Sequence, residues 1–292
     1  MSDLDFSNTS PMKPAAAAAP PPPQPVYNAA AAMEFFKSAG KPESFAAGAT
    51  IFAEDEKGGL FSKPKMYVLI LGEVEMIAQD QVIGIVRPGE TFGEMAVIAQ
   101  AARTATARAK AQSTVIGLDE KQFQQALQQK PEFALMLMSL MNSRLRNTIS
   151  RLRASGALHA GEARETPVFD KKLLAGLVAL MGANGPVRYD KGKTIMQEGT
   201  AGALMYVVLE GRVAISIKGG LVARAGPGGV FGEMALVDQA VRAATAIAET
   251  DCSLLALNRA TFLQLVKTSP AFAHALLAGL AERAKDMAVR NK

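Results

Sequence analysis

Short apolar runs alternate with glycine and proline through two long stretches of the chain. Runs such as residues 67–71 and 82–86 are bounded by turn-forming residues, the pattern of short antiparallel strands. Helical periodicity occurs only at the edges of these stretches, at residues 29–37 and 171–181 before the strands and at 120–153 and 259–290 after them. The two trailing segments are interrupted near Pro131 and Pro270, because proline has no N–H to donate and clashes with the preceding turn. The pattern predicts a mainly β fold with flanking α-helices. A small jelly-roll β-barrel would close the edges of such strands on themselves, although periodicity alone also fits another kind of two-domain sandwich.

The whole pattern occurs twice. From Met66-Tyr67-Val68 and Met205-Tyr206-Val207 onward the sequence matches itself without a gap at a spacing of 139 residues. Gly72 falls on Gly211, Pro88-Gly89 on Pro227-Gly228, Phe123 on Phe262, Phe133 on Phe272 and Arg144 on Arg283. Upstream the spacing becomes 144, with Gly48 on Gly192, so the first copy carries five extra residues, placed in the charged, Gly-containing loop 54–65. One domain has been duplicated in tandem. The chain divides into a disordered Pro/Ala-rich tail (1–28), a first domain with its C-terminal helix (29–153), a linker (154–169) and a second domain with its C-terminal helix (170–292).

Composition supports this division. At 292 residues the chain has the length of two ordinary domains, and 49% hydrophobic against 20% charged residues supply two cores. Seven of the fifteen prolines lie in the first 25 residues beside an alanine run, a composition that favours an extended spacer. The single cysteine, Cys252, can form neither an internal disulfide nor a thiolate zinc site, which suits a reducing, cytoplasmic compartment. Only two histidines, His159 and His274, are present and lie far apart, leaving little room for a cupin-type metal enzyme. The longest apolar stretch, residues 173–183, is about half the roughly 20 residues a membrane span requires, and the start of the chain lacks the form of a secretory signal. A net charge of +5 permits acidic partners without marking a patch for them.

The segment with the clearest chemistry is Phe92-Gly-Glu-Met-Ala and its repeat Phe231-Gly-Glu-Met-Ala. Gly93 lets the backbone approach a ligand, and Glu94, Met95 and Ala96 favour a short helix whose free N–H groups attract an anion. Nine residues after Glu94 stands Arg103, among alanines and threonines, where an unpaired guanidinium would be costly. A phosphate suits its planar fork, while the carboxylate suits a sugar hydroxyl. The second copy repeats the arrangement with Gly232, Glu233, Met234, Ala235 and Arg242, again nine residues from Glu to Arg. A pairing of each Glu with its own Arg, as a relic without a ligand, would use the same residues.

At these residues both copies resemble cyclic nucleotide-binding domains, the module shared by regulatory subunits of cAMP-dependent kinase, catabolite activator proteins and cyclic nucleotide-gated channels. The likeness rests on F-G-E-[LM]-A followed by R-[AST]-A-[ST], and covers about residues 40–150 and 170–290. It implies two tandem jelly-roll β-barrels, no catalytic residues and no cofactor. It also implies that the ribose hydroxyl lies on Glu94 and Glu233, the cyclic phosphate on Arg103 and Arg242, and backbone donors after Gly93 and Gly232. Many members have proline just before the arginine, where this chain has Ala102 and Val241. The next residue differs between copies: Ala243 points to cAMP at the second site, whereas the hydroxyl of Thr104 leaves the first open between cAMP and cGMP. A cyclic dinucleotide would need a second basic group, for which Arg87 or Arg108 stand in sequence.

The implied function is a sensor that passes its state to an effector protein. After the first domain, Met138, Met141, Leu145, Thr148 and Leu152 form an apolar stripe, and Arg144, Arg146, Arg151 and Arg153 form a basic face expected to be solvated. The stripe fits either a lid over its own barrel or the seam of a homodimer. No direct DNA-binding domain is expected after the second module, where only nine residues follow Arg283, and no membrane segment. A scaffold with non-functional pockets is the competing class. Because the helix leads into the second domain, the two sites are expected to be coupled, reciprocally in binding free energy.

Overall fold

The computed structural model describes residues 27–58, 63–154, 165, 167–181 and 185–289. The Pro/Ala-rich tail before Tyr27, part of the extra loop (59–62), most of the linker with His159, and the side chains of Thr148, Arg151, Leu152 and Arg153 lie outside the described residues.

The first half opens with α1 (Ala29–Ala39), capped by Asn28, whose side chain accepts the N–H groups of Ala30 and Ala31. Then come β1 (Lys41–Phe45), β2 (Thr50–Phe52), β3 (Lys65–Leu71), β4 (Val74–Ala78), β5 (Gln81–Val86), β6 (Thr91–Phe92), the short helix α2 (Glu94–Ile98), β7 (Thr106–Ala109) and β8 (Ser113–Asp119). α3 (Glu120–Gln129) and α4 (Glu132–Ala154) close the half. α3 starts where β8 ends because Asp119 and Gln122 cap each other reciprocally. The helix break expected at Pro131 lies between α3 and α4.

The second half repeats the order: α5 (Lys171–Met181), β9 (Val187–Tyr189), β10 (Thr194–Met196), β11 (Leu204–Glu210), β12 (Val213–Ile217), β13 (Gly220–Ala225), β14 (Val230–Phe231), α6 (Glu233–Asp238), β15 (Thr245–Ala248), β16 (Cys252–Asn258), α7 (Arg259–Thr268) and α8 (Pro270–Val289). Pro270 opens α8, the one helical position where its missing N–H costs nothing.

Each half is two four-stranded antiparallel sheets, β1-β8-β3-β6 facing β2-β7-β4-β5, and β14-β11-β16-β9 facing β10-β15-β12-β13. The fold is mainly β with flanking helices, in jelly-roll form. Hydrogen bonding runs in two separate sheets in each half rather than around one ring, as the expected barrel would have it. Phe52, Leu69, Val74, Phe92, Ala107 and Val115 fill the space between the sheets of the first half. Tyr206, Val208, Val213, Phe231, Ala246 and Leu254 do so in the second.

The largest cluster belongs to neither half alone. Phe35, Phe123, Phe133, Leu137 and Met141 are continuous with Phe169, Phe262, Phe272, Leu277 and Leu280. Each such side chain contributes about 1.5–3 kcal/mol on burial, and helices of both halves share this core. α4 lies against α8, and Met138, Met141 and Leu145 of the apolar stripe expected to form a lid or a seam between two copies are buried within the chain. Duplication supplies in cis the second helix that a dimer would supply in trans. Polar contacts add to the joint: Ser139 donates to Asp238 Oδ1 at 2.7 Å, and Arg146 Nε stands 3.6 Å from Asp238 Oδ2.

Candidate functional site

The site of the first half is built at the step from β6 into α2. Gly93 takes φ +72° there, and a Cβ on it would come within 2.9 Å of Arg103 Nη1 and 3.0 Å of Phe52. Gly232 repeats this at φ +81°, with Arg242 Nη1 at 2.7 Å. The left-handed backbone costs a side-chain-bearing residue about 1–2 kcal/mol. Gly93→Ala is therefore expected to lower unfolding stability by at least that much and to displace Arg103. An unchanged midpoint in urea would contradict this.

Arg103 is 5% exposed, and its guanidinium is placed by three neighbours. Nη1 donates to the carbonyl of Gly93 at 2.9 Å, Nη2 to that of Lys65 at 2.8 Å, and the Cζ atom lies 3.9 Å from the ring centre of Phe52. Neutral carbonyls and a ring orient the cation without neutralising it. Burial pushes its pKa down, with Tyr67, Glu56 and Glu94 acting against that, so an arriving anion would relieve a cost the fold already carries. Tyr67 beneath it is pushed up to about 12 by burial.

Glu94 is fully buried, and its partner is not Arg103. Arg144 of α4 donates through Nη1 to Glu94 Oε1 and through Nη2 to the carbonyl of Thr91. The other carboxylate oxygen, Oε2, is buried without a hydrogen-bond partner among the described residues. The second half is the same: Arg283 of α8 holds Glu233 Oε1, Glu233 Oε2 has no such partner, and Arg242 donates to the carbonyl of Gly232 at 2.9 Å. The pairing of each cassette glutamate with its own arginine is thus not what forms. The basic face of α4, expected to be solvated, is in use at Arg144 and Arg146. Sequence reasoning placed Arg144 on that solvated face and gave Arg283 no role, although their match in the repeat was the available signal.

All six first-copy candidates, Gly93, Glu94, Met95, Ala96, Arg103 and Thr104, line one cavity of about 580 Å³. Its apolar wall comes from Met76 and the strand β5, and α4 adds Leu140, Met141 and Arg144. Ala284 and Lys285 of α8 also line it, so the second half completes the site of the first. Arg87 and Arg108, considered as additional cations, do not line it, and Arg108 pairs instead with Glu75 at 2.6 Å. In the second half Gly232, Glu233, Met234, Ala235, Arg242 and Ala243 occupy the matching places from β14 to the start of β15, with Met196 where the first copy has Phe52. Among the described residues no group of three or more His, Cys, Asp or Glu side chains could hold a metal ion, and no helix is long and apolar enough to cross a membrane.

Compared with known proteins, residues 42–130 and again 186–269 match the family described as cyclic nucleotide-binding domain. A cyclic AMP receptor protein of Thermus thermophilus is 41% identical over 103 residues, which cover 34% of this chain and 48% of that protein. A cAMP-dependent protein kinase regulatory subunit of Eremothecium gossypii is 42% identical over 76 residues, covering 26% of this chain and 17% of that one. The chain thus spans less than half the length of these curated relatives. Among solved structures, the Thermus thermophilus catabolite activator protein overlaps 42% of this chain and 61% of its own at 34% identity, with a TM-score of 0.36.

Proposed function

Because the chain belongs to the cyclic nucleotide-binding domain family in both of its halves, we propose that it is a cyclic nucleotide-responsive regulatory protein with cAMP as ligand of the first cavity. One observation carries the reading above the others. A buried guanidinium and a buried carboxylate with an unpartnered oxygen line the same cavity, and each is oriented by groups that leave its chemistry unspent. The cyclic phosphate would lie on Arg103 and on the N–H groups of Met95 and Ala96, which have no intrahelical carbonyl to meet. A ribose hydroxyl would donate to Glu94 Oε2 and remove the cost of leaving that atom unsatisfied, about 1–3 kcal/mol. The base would lie against Met76 and the β5 wall, with the exposed Thr104 hydroxyl at hand for a guanine.

The output is a changed grip on a partner protein, transmitted by α4 and α8, whose arginines touch the two cassettes. Cys252, unpaired and buried, suits a reducing compartment such as the cytoplasm. Titrating the full chain calorimetrically with cAMP, cGMP and a cyclic dinucleotide tests the reading. The expected result is saturable heat and a raised unfolding temperature with cAMP; no heat and no thermal shift with any of the three would replace the sensor by a scaffold with empty pockets.

A further inference from the structure

The repeat makes the two cavities comparable wall by wall, and they differ. In the first half Ile83 is 55% exposed and faces open space. Its counterpart 139 residues on, Val222, is 5% exposed. What covers it is Leu145 of α4, itself 4% exposed and clustered with Val222, Ile217 and Ala244. Ile149, one helical turn further along the same face, packs against the same cluster, as do Ile215, Ala223 and Met234. Ile215, Val222, Ala223, Met234 and Ala244 are the repeat counterparts of the cavity-lining Met76, Ile83, Gly84, Met95 and Ala105. The space that is open in the first half is therefore filled in the second.

The sequence accounts for the difference. Each half's closing helix crosses to the other half's cavity. α4 brings Leu145 and Ile149 to the second, while the matching positions of α8 are Ala284 and Ala288. A methyl group at 284 reaches the first cavity without filling it. The neighbouring cations differ in the same way. Arg146 is drawn to Asp238 beside the second cassette, whereas alanine, Ala99, stands where that aspartate would be in the first half, and the counterpart Lys285, which lines the first cavity, pairs with Glu282 of its own helix at 3.3 Å.

We infer that the two cavities are unequal by construction: Leu145 and Ile149 close the second against nucleotide, and Ala284 keeps the first open, an inference that rests on the binding function proposed above. Leu145 and Ala284 are then the residues that decide which site takes ligand. A nucleotide enters the second cavity only when α4 withdraws. Leu145 adjoins Arg144, which holds Glu94 of the first site, so the two events share one helix.

Calorimetry with cAMP on the full chain should give one equivalent per chain, and two for the Leu145→Ala/Ile149→Ala variant. Burial of a leucine corresponds to roughly 10- to 100-fold in affinity, so Ala284→Leu should weaken the first site at least tenfold. Two equal sites in the unaltered chain, unmoved by Leu145→Ala, would overturn the inference. A second measurement needs no nucleotide. Cysteines introduced as Ile83→Cys and Val222→Cys are labelled with a thiol reagent, the natural Cys252 being buried. Position 83 should react at least tenfold faster, and Leu145→Ala should raise the rate at 222. Equal rates overturn the inference. Unequal rates without any cAMP binding would uphold the filled second cavity while removing the nucleotide reading.

Discussion

Arg103→Ala should weaken cAMP binding at the first cavity by about 10²- to 10⁴-fold. The range follows from two parallel charge-assisted hydrogen bonds, each contributing about 1.5–3 kcal/mol where water is excluded. Alanine also leaves the carbonyls of Gly93 and Lys65 without their donor and the ring of Phe52 without its cation. Stability therefore has to be followed alongside affinity. Arg103→Lys separates the two effects, since an ammonium keeps the charge and can still reach one carbonyl, yet cannot present a fork. It should fold with an unfolding midpoint near that of the unaltered chain and still bind at least tenfold more weakly. Calorimetric titration with urea unfolding on the same samples gives both quantities. Wild-type affinity in a folded Arg103→Ala variant would mean that the phosphate lies elsewhere.

How much of this site could be read from the sequence depends on how local each part is. The cassette was legible because its chemistry is compressed into a glycine turn, one helical turn and an arginine nine residues on, and because the second copy repeats it. Helix ends at Pro131 and Pro270 were legible for the same reason, as proline acts on its own turn. Glu94 and Arg144 are 50 residues apart, and what joins them is the docking of α4 across the cassette, which no local pattern encodes. The arginine was visible only as a residue kept at 283, and on a helix with four arginines that pointed as readily to a wet face. The contribution of Ala284 and Lys285 to the first cavity was further out of reach. It depends on how one half packs on the other, a property of the continuous core that runs from Phe35 to Leu280. The same packing buries, at the joint between the halves, Met138, Met141 and Leu145 of a stripe that would suit a dimer seam.

That joint carries the second large effect. Arg144→Ala should cost about 3 kcal/mol of unfolding free energy, and Arg283→Ala a similar amount. Glu94 is 0% exposed and Glu233 3%, so removing either arginine strands a carboxylate in the interior, which typically costs 3–5 kcal/mol. The arginine side chains are themselves 41% and 30% exposed, so water can follow them into the gap and hold the loss to the lower part of that range. The cause can be isolated by neutralising the acid as well. Glu94→Gln combined with Arg144→Ala leaves a neutral amide in place of the stranded charge, and should recover part of the stability lost in the single variant. A double-mutant cycle in urea gives the coupling directly, with more than 1 kcal/mol expected between residues in one buried pair. Additive effects would show that Arg144 stabilises through packing and its bond to the Thr91 carbonyl rather than through Glu94. The nucleotide would then sense α4 only through apolar contacts such as those of Leu140 and Met141, and Glu94 would have no electrostatic hold on the helix that carries Leu145.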